Sequence, residues 1–435
     1  MKTYDKIYIN GQWVSPAGKD KVKVINPCTE EAIASVPLGN EEDVQKAVIA
    51  ARQAFPSWSK TSVADRIKLI SKLSEAIAAR QNEIGDTISR EMGMPSAWSR
   101  MIQVGLPVAT LNSFVPILEN YFFSYPMGRT EIVKEPIGVC GFITPWNYPL
   151  HQLVGKVAPA LAAGCTMVAK PSQLAPLNAY AFTEIMQEIG VPPGVFNLVP
   201  GAGSKVGYAL SSHPDVDMVS LTGSTKSGIA VAQAAATTIK RVTLELGGKS
   251  PNVLFEDADI PMAVTKGVYN CFLNSGQTCI ALSRMIVPAH KQKEIVEMAK
   301  SIVESMVMGD AFTDGVYLGP MVDDAQRQSV REYIRAGIRE GATLVTGGPE
   351  TPENLPKGFF VKPTLFADVK PDMIIAQEEI FGPVLCIIPY RTEEEAIAIA
   401  NNSVYGLSGS VWSADPEKAR AAARQIRSGQ VFING

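Results

Sequence analysis

The sequence predicts an α/β protein of two domains, the first built on a doubly wound, mostly parallel sheet. Three observations carry that expectation. At 435 residues the chain exceeds the usual size of one hydrophobic core. From about residue 136, short runs that are apolar on both faces alternate with segments of helical period, the pattern of βαβ units around a buried sheet. After Gly247-Gly248 a second cycle of strand and helix begins. No internal repeat and no low-complexity linker breaks the pattern.

Taken in order, residues 41–57 and 62–93 carry apolar side chains at helical spacing (Val44, Ala47, Val48, Ala51, then Ile67, Leu69, Ile70, Leu73, Ile77), and Pro56 is expected to separate the two. Val139–Ile143 reads as a strand, followed by a helix near Leu150–Ala163 and a strand at Thr166–Ala169. A helix near Leu177–Ile189 precedes strands at Val195–Val199, Met218–Leu221 and Val242–Leu246. The second cycle runs through strand Asn252–Phe255, a helix near 260–273, strand Met285–Pro288 and a helix near 292–307. Strand-like runs follow at Thr343–Thr346, Val384–Pro389 and Ser408–Trp412, with a helix at Glu393–Asn401. Val431-Phe432-Ile433 reads as a strand, and Asn434-Gly435 is a hairpin signal, so the chain is expected to continue past it.

Composition narrows the function. Hydrophobic residues make up 46% and charged residues 19%, ordinary values for a globular enzyme. A formal net charge of −3 gives no electrostatic reason to expect nucleic acid or an anionic membrane as partner. The start, Met1-Lys2-Thr3-Tyr4-Asp5, lacks a signal peptide's apolar core, and Ile102–Leu118 and Pro136–Gly155 are interrupted by Pro, Asn and Gln, which argues against membrane spans. Six cysteines (Cys28, Cys140, Cys165, Cys271, Cys279, Cys386) lie scattered without a CxxC pair or a Cys/His cluster, so neither a disulfide framework nor a metal site is expected, and the default compartment is the reducing cytoplasm.

A free cysteine is more often an inert buried hydrophobe than a nucleophile. Cys140, Cys165 and Cys271 sit in apolar segments, and Cys28 and Cys386 have no supporting motif. Cys279 differs, because Asn274-Ser275-Gly276-Gln277-Thr278 brings it out of a helix on a polar, Gly-containing turn. Six segments together, in order and covering nearly the whole chain, resemble the aldehyde dehydrogenase superfamily: Thr144-Pro145-Trp146-Asn147-Tyr148-Pro149, Lys170-Pro171-Ser172, Leu221-Thr222-Gly223-Ser224-Thr225, Leu244-Glu245-Leu246-Gly247-Gly248-Lys249, Gly276-Gln277-Thr278-Cys279 and Glu378-Glu379-Ile380-Phe381-Gly382-Pro383.

The resemblance implies NAD(P)-dependent oxidation of an aldehyde to a carboxylic acid. An aldehyde gives up hydride readily only once a nucleophile has made its carbon tetrahedral. Cys279 would supply that nucleophile, although an unperturbed thiol is only a few per cent ionised at pH 7. The resulting oxyanion needs preorganised donors, a place the resemblance gives to the Asn147 side chain and the Cys279 backbone N–H. Hydride loss would leave a thioester, which water hydrolyses with a general base. Glu245 matches the family's base, and Lys156 matches a lysine credited with proton relay.

Gly201-Ala202-Gly203-Ser204-Lys205-Val206-Gly207 has its third glycine one residue too late for the usual dinucleotide fingerprint. The turn at Gly223-Ser224, which opens a helix, is the pyrophosphate site in the family. The resemblance places Lys170 on the adenosine ribose, Ser224 on phosphate, and Glu379 and Phe381 on the nicotinamide ribose and ring, with Trp146, Ser172, Gly203, Gly223 and Gly247 completing the cofactor contacts. Many NAD-specific members carry Glu where this chain has Gln173; an amide does not repel a 2′-phosphate, so NAD and NADP both stay open. Tyr148, His151, Gln152, Gly155 and Leu273 fall where the family lines its substrate tunnel, with Gly155 at a position where several semialdehyde oxidisers place arginine. The family fold implies a Rossmann-like cofactor domain (1–117 and 137–246), an α/β catalytic domain (247–425) and a small oligomerisation element (118–136 with a later C-terminal strand), giving a homodimer or homotetramer in a complete chain. Three rival readings remain: a CoA-acylating relative, which Glu245 disfavours; a catalytically silent relative serving as a structural protein; and a generic nucleotide-binding α/β protein.

Overall fold

The computed structural model describes residues 2–435. They form two compact units: residues to Asn26 with Glu31–Met92 and Ser96–Glu245, and Pro27–Glu30 with Gly93–Pro95 and Leu246–Gly435.

The first unit holds β1 (Lys2–Thr3), β2 (Ile7–Ile9), β3 (Gln12–Val14), β4 (Lys21–Asn26), β5 (Glu31–Pro37), β6 (Ser124–Met127), β7 (Thr130–Val133), β8 (Val139–Ile143), β9 (Thr166–Lys170), β10 (Phe196–Leu198), β11 (Met218–Thr222) and β12 (Arg241–Glu245). Its helices are α1 (Glu41–Trp58), α2 (Val63–Ala79), α3 (Gln81–Met92), α4 (Ser96–Trp98), α5 (Gly105–Glu119), α6 (Pro149–Ala163), α7 (Leu177–Glu188), α8 (Tyr208–Ser212) and α9 (Thr225–Ala236). Seven strands form the main sheet in the order β12-β11-β8-β9-β10-β2-β3, parallel from β12 to β10, with the β2–β3 hairpin added antiparallel. From β8 the chain steps outward through β9 and β10, then returns to place β11 on the other side of β8. That reversal is the switch point beside which open α/β sheets bind ligands, at the carboxyl ends of the strands.

Three local expectations are corrected here. Pro56 does not end α1: it lies in the last turn, where its missing N–H costs the helix one late hydrogen bond, and the break comes after Trp58. Pro, Asn and Gln do not interrupt the apolar stretch after residue 96 either. It runs as one 24-residue helix, Ser96–Glu119, of mean hydropathy 1.5, long and apolar enough to cross a membrane by length and composition alone. A π-turn at Ser99–Val104 precedes Pro107 and has already shifted the hydrogen-bond ladder there. Finally, β12 is not buried on both faces: it is an edge strand, with Arg241, Thr243 and Glu245 exposed.

Glu91 is a buried group that sequence period does not reveal. Its carboxylate is fully shielded on α3 and accepts from the Leu177 and Asn178 backbone N–H groups (2.6 and 3.0 Å) and from Asn178 Nδ2 (2.7 Å), capping α7 from another helix. Burial pushes its carboxyl up to about 7, against these stabilising hydrogen bonds. The folded state therefore binds the proton more tightly than the unfolded chain, whose Glu titrates near ~4.3. Stability is expected to fall as pH rises from there through the folded value, by on the order of 3 kcal/mol from this group. Glu91→Gln is expected to flatten that slope and to lower Tm, since one amide NH₂ then faces backbone donors. Thermal unfolding across roughly pH 5 to 8 measures both effects, and an unchanged slope would refute the assignment.

The second unit holds β13 (Pro251–Leu254), β14 (Arg284–Pro288), β15 (Thr343–Thr346), β16 (Thr364–Ala367), β17 (Val384–Tyr390), β18 (Ser408–Trp412) and β19 (Gln430–Ile433). Its helices are α10 (Ile260–Phe272), α11 (Gln292–Ser305), α12 (Asp324–Arg339), α13 (Ile374–Gln377), α14 (Glu393–Asn401) and α15 (Pro416–Ala423). The strand order is β15-β16-β17-β14-β13-β18-β19, parallel except for β15. One sheet face packs Val253, Ile286, Val384 and Ile388 against Val330 and Ile334 of α12. The other packs Leu254, Met285, Val287 and Ile387 against Val264 and Val268 of α10 and Ile295 of α11. Helices on both faces explain why these strands read as unbroken apolar runs.

Candidate active site

In the first unit the predicted positions gather at the carboxyl edge of the sheet. Ile143 pairs with Lys170, Leu221 with Ile143, and Thr222 with Glu245, so the ends of β8, β9, β11 and β12 stand side by side. The turn after β8 carries Trp146, half-buried, and Asn147, buried. Gln103, fully shielded on the π-turn, donates from Nε2 to the Asn147 carbonyl oxygen at 2.9 Å and so fixes the backbone of that turn. Tyr148 is the N-cap of α6, and its carbonyl accepts from the Gln152 N–H at 2.8 Å. Gln152 Oε1 in turn accepts from Thr222 Oγ1 at 3.1 Å, tying α6 to the end of β11.

His151, half-buried on the first turn of α6, has a shielded Nδ1 without a hydrogen-bond partner among the described residues, and burial holds its imidazolium pKa below the ordinary value. A Cβ at Gly155 would meet nothing within 4 Å, so open space borders that face of the helix. Lys156, one residue on, is buried and donates to Ser220 Oγ at 2.9 Å. Burial lowers its ammonium pKa to about 8, opposed by the Glu245 carboxylate.

The cofactor positions divide by role in the fold. Lys170 is buried at the end of β9, donates to the carbonyls of Pro171 (2.8 Å) and Gly201 (3.1 Å), and burial brings its pKa down to about 8. Ser172 Oγ accepts from the Leu174 N–H at 3.2 Å and shapes the turn that presents the half-buried Gln173. Ser224 is the N-cap of α9, accepting from the Ser227 N–H at 3.2 Å, and it is exposed at the mouth of a helix whose first turn has no acidic residue. Gly203 opens a short π-turn and Gly223 follows β11; nothing crowds a Cβ at Gly203, and at Gly223 the nearest side-chain atoms lie 3.8–3.9 Å away. An accessible helix N-terminus behind a glycine turn, at the switch point, with a buried lysine two strands away at the end of β9, fits a dinucleotide phosphate and ribose.

In the second unit Cys279 is the one cysteine of the six that is not buried. The turn before it is strained: Asn274, Ser275 and Gly276 all take positive φ (55°, 55° and 73°), costly for the first two. Buried contacts hold it. Gln277 donates from Nε2 to the carbonyls of Asn274 (3.1 Å) and Pro320 (3.3 Å) and accepts the Val322 N–H at 2.9 Å, while Ser275 Oγ donates to Gly319 O at 2.8 Å. Leu273, half-buried, is the C-cap of α10 where this turn starts.

Gly247 and Gly248 are pinched from both sides. A Cβ on Gly247 would lie closer than 3.0 Å to the Glu379 carboxylate, and one on Gly248 equally close to the Cys279 carbonyl oxygen. Glu379 accepts the Gly248 N–H at 3.1 Å; burial raises its pKa, opposed by that hydrogen bond and by the charge of Lys249. Phe381 also has positive φ (54°), and Gln326 Nε2 holds its carbonyl at 2.9 Å. Gly248, Gly276, Thr278, Glu379 and Phe381 line one small cavity. Among the described residues no group of three or more His, Cys, Asp or Glu could hold a metal ion.

Gln103, Ser220, Gln277 and Gln326 are absent from the sequence-based set. Gln277 had a signal, its place in Gly-Gln-Thr-Cys; the other three become visible only through their partners.

Known proteins give the arrangement its kin. A sequence profile described as the aldehyde dehydrogenase family matches residues 13–435. A 3-succinoylsemialdehyde-pyridine dehydrogenase from a Pseudomonas species is 49% identical over 441 residues, spanning 100% of this chain and 91% of that protein. The crystal structure of a cysteine-to-alanine mutant of aldehyde dehydrogenase C from Pseudomonas syringae, complexed with NAD+ and octanal, superposes with a TM-score of 0.98 at 48% identity, covering 99% of this chain and 89% of that one. The Mycobacterium tuberculosis aldehyde dehydrogenase complexed with NAD+ gives a TM-score of 0.97 at 41% identity, over 100% and 90% of the two chains. With the family's motifs placed on the edges of two α/β sheets and the likeness running through nearly the whole chain, this protein belongs to the aldehyde dehydrogenase family.

Proposed function

We propose that the protein oxidises an aldehyde to a carboxylic acid with NAD or NADP, through a thioester on Cys279. The observation that carries this reading is Cys279 itself: the cysteine that is not buried, on a strained turn held by Gln277, with its carbonyl set against Gly248. The sulfur, once deprotonated, adds to the carbonyl carbon to give a thiohemiacetal. The Asn147 amide and the Cys279 N–H serve as donors to its oxyanion, each worth about 3 kcal/mol in such sites. A nicotinamide held by Glu379, Phe381 and Trp146 would supply the hydride acceptor there. Glu245 takes a proton from the water that hydrolyses the thioester, and Lys156 relays it.

For the cofactor, Lys170, Ser172 and Gln173 take the adenosine ribose; Ser224 with Gly203 and Gly223 takes the phosphates; Glu379, Phe381, Gly247 and Trp146 take the nicotinamide end. The amide of Gln173 leaves NADP acceptable beside NAD. Accordingly the first unit takes the adenosine ribose and phosphates, and the second carries the nucleophile with Gly247, Glu379 and Phe381. The exposed hairpin β6–β7, with Tyr125, Met127 and Val133 outward, and the exposed Met101, Leu106 and Ile117 nearby in sequence, support assembly into a dimer or tetramer through residues 118–136. Light scattering of the purified protein tests it; a monomer at micromolar concentration contradicts it. Free cysteines support a cytoplasmic location.

Tyr148, His151, Gln152, Gly155 and Leu273 are proposed to line the substrate path. Open space at Gly155, and relatives named for 3-succinoylsemialdehyde-pyridine or crystallised with octanal, favour an extended or aryl-bearing aldehyde. Both compounds, assayed with NAD and NADP in the presence and absence of CoA, test the substrate class; strict dependence on CoA would move the protein to the acylating branch. The sharper experiment is Glu245→Gln. Steady-state turnover is expected to fall by roughly 10²- to 10⁴-fold while the pre-steady-state burst of reduced cofactor persists. A burst that disappears with the steady state would remove Glu245 from hydrolysis.

A further inference from the structure

Ser220 stands on β11, two residues before Thr222, which pairs in register with Glu245. Its hydroxyl and the Lys156 amine meet at 2.9 Å, with the two residues only 7% and 8% exposed. Among the described residues Ser220 Oγ is the single hydrogen-bond partner of Lys156 Nζ. The charge acting on Lys156 is that of Glu245 on β12; the other buried lysine at this edge, Lys170 on β9, responds to burial alone. A buried amine that trades protons must be held both as ammonium and as free base. A carbonyl can only accept and a backbone N–H can only donate, whereas a hydroxyl does either by rotating its proton.

We propose that Ser220 is the positioning residue for proton relay, its hydroxyl accepting from Lys156 when the amine is charged and donating to it when neutral. This rests on the reading above in which Lys156 carries away the proton that Glu245 takes from water. Proton balance is simple. Water gives its proton to Glu245 as the hydroxide adds to the thioester, and the acyl C–S bond then breaks to release the carboxylic acid and the Cys279 thiolate. Glu245 hands that proton to neutral Lys156, and the ammonium then loses it to solvent, with Ser220 keeping Nζ in place throughout. Without the hydroxyl, the ammonium has no acceptor in a shielded site, so the free base is favoured further and Nζ is no longer held.

The test compares wild type, Ser220→Ala, Ser220→Thr and Lys156→Met with octanal or 3-succinoylsemialdehyde-pyridine, whichever the wild type turns over, at saturating NAD. Burst amplitude and the steady-state rate are followed across roughly pH 6 to 9.5. For Ser220→Ala the burst is expected to survive, the steady-state rate to fall roughly tenfold, and its acidic limb to move to lower pH by about half a unit to one unit. Ser220→Thr, which keeps the hydroxyl, is expected to restore rate and limb. A Ser220→Ala enzyme with wild-type rate and limb overturns the inference. So does loss that Ser220→Thr shares, which would make the position one of packing alone. If Lys156→Met slows hydrolysis while Ser220→Ala does not, only the Ser220 tie falls; if neither slows it, the relay reading falls as well.

Discussion

Cys279→Ala is expected to abolish aldehyde oxidation, by at least about 10⁴-fold, while leaving NAD affinity within a few-fold of wild type. The size of the effect follows from chemistry: without a sulfur adduct, the aldehyde carbon stays trigonal and hydride loss has no driving group. No neighbouring thiol can substitute, because Cys28, Cys140, Cys165, Cys271 and Cys386 are all buried. Burial pushes Cys28 up to about 12 and raises Cys271 and Cys386 as well, so these thiols stay protonated at working pH. Cofactor affinity should persist because the proposed phosphate and ribose contacts, Lys170 and Ser224, lie on strand and helix ends independent of the cysteine turn. Initial rates and a fluorescence titration with reduced cofactor measure the two quantities. Turnover within tenfold of wild type would remove Cys279 from the chemistry.

Gly248→Ala is expected to cost on the order of 10²-fold in rate from a single methyl group. The Cβ would fall against the Cys279 carbonyl oxygen, which is backbone and cannot rotate aside, with Leu407 Cβ at 3.4 Å closing another direction. Relief requires the cysteine turn to move, and that turn is already held in left-handed conformations at Asn274 and Ser275 by Gln277 and Ser275 hydrogen bonds. Displacing a nucleophile by about 1 Å costs on the order of 10²-fold in rate. The control is Gly155→Ala, where the added carbon meets nothing within 4 Å, and which is expected to fold with a Tm no lower than wild type, since alanine favours a helix interior. Circular dichroism and initial rates separate misfolding from misplacement. A Gly248→Ala enzyme of full activity would show that the Cys279 backbone position is unimportant.

Much of this architecture was legible in the sequence because buried parallel strands are apolar throughout. Val139–Ile143 and Ser408–Trp412 match the observed strands residue for residue, and so does the antiparallel edge strand Thr343–Thr346, which is not of that buried kind. Less polarised signals escaped. In α12 the buried apolar side chains are Val330 and Ile334 among a largely charged and polar helix, a stripe too narrow to stand out. Short antiparallel pieces such as β2, β3, β6 and β7 owe their form to partners, not to their own period. The Pro, Asn and Gln read as interrupting Ile102–Leu118 sit within a continuous helix, and the π-turn near its start cannot be anticipated from residue types.

The site shows the same division. Residues proposed for covalent chemistry or phosphate contact announced themselves through motifs, since few residue types can do those jobs. Residues that aim them did not. Gln103 under Asn147, Ser220 under Lys156 and Gln326 under Phe381 are common polar residues whose meaning lies in a partner 44, 64 or 55 positions away. Glu245 had an unexpected setting as well: on an exposed edge strand it can meet water directly, which suits a base for hydrolysis better than the buried strand end read from sequence.

The account turns on a bond between one sulfur and the substrate's carbonyl carbon, and that bond can be weighed. Glu245→Gln enzyme is mixed with octanal and NAD, quenched in acid during the burst and digested for peptide mass spectrometry. The expected result is an octanoyl group on the peptide carrying Cys279, in proportion to the cofactor reduced. Reduced cofactor with that peptide unmodified, or the acyl group on another cysteine, would contradict it.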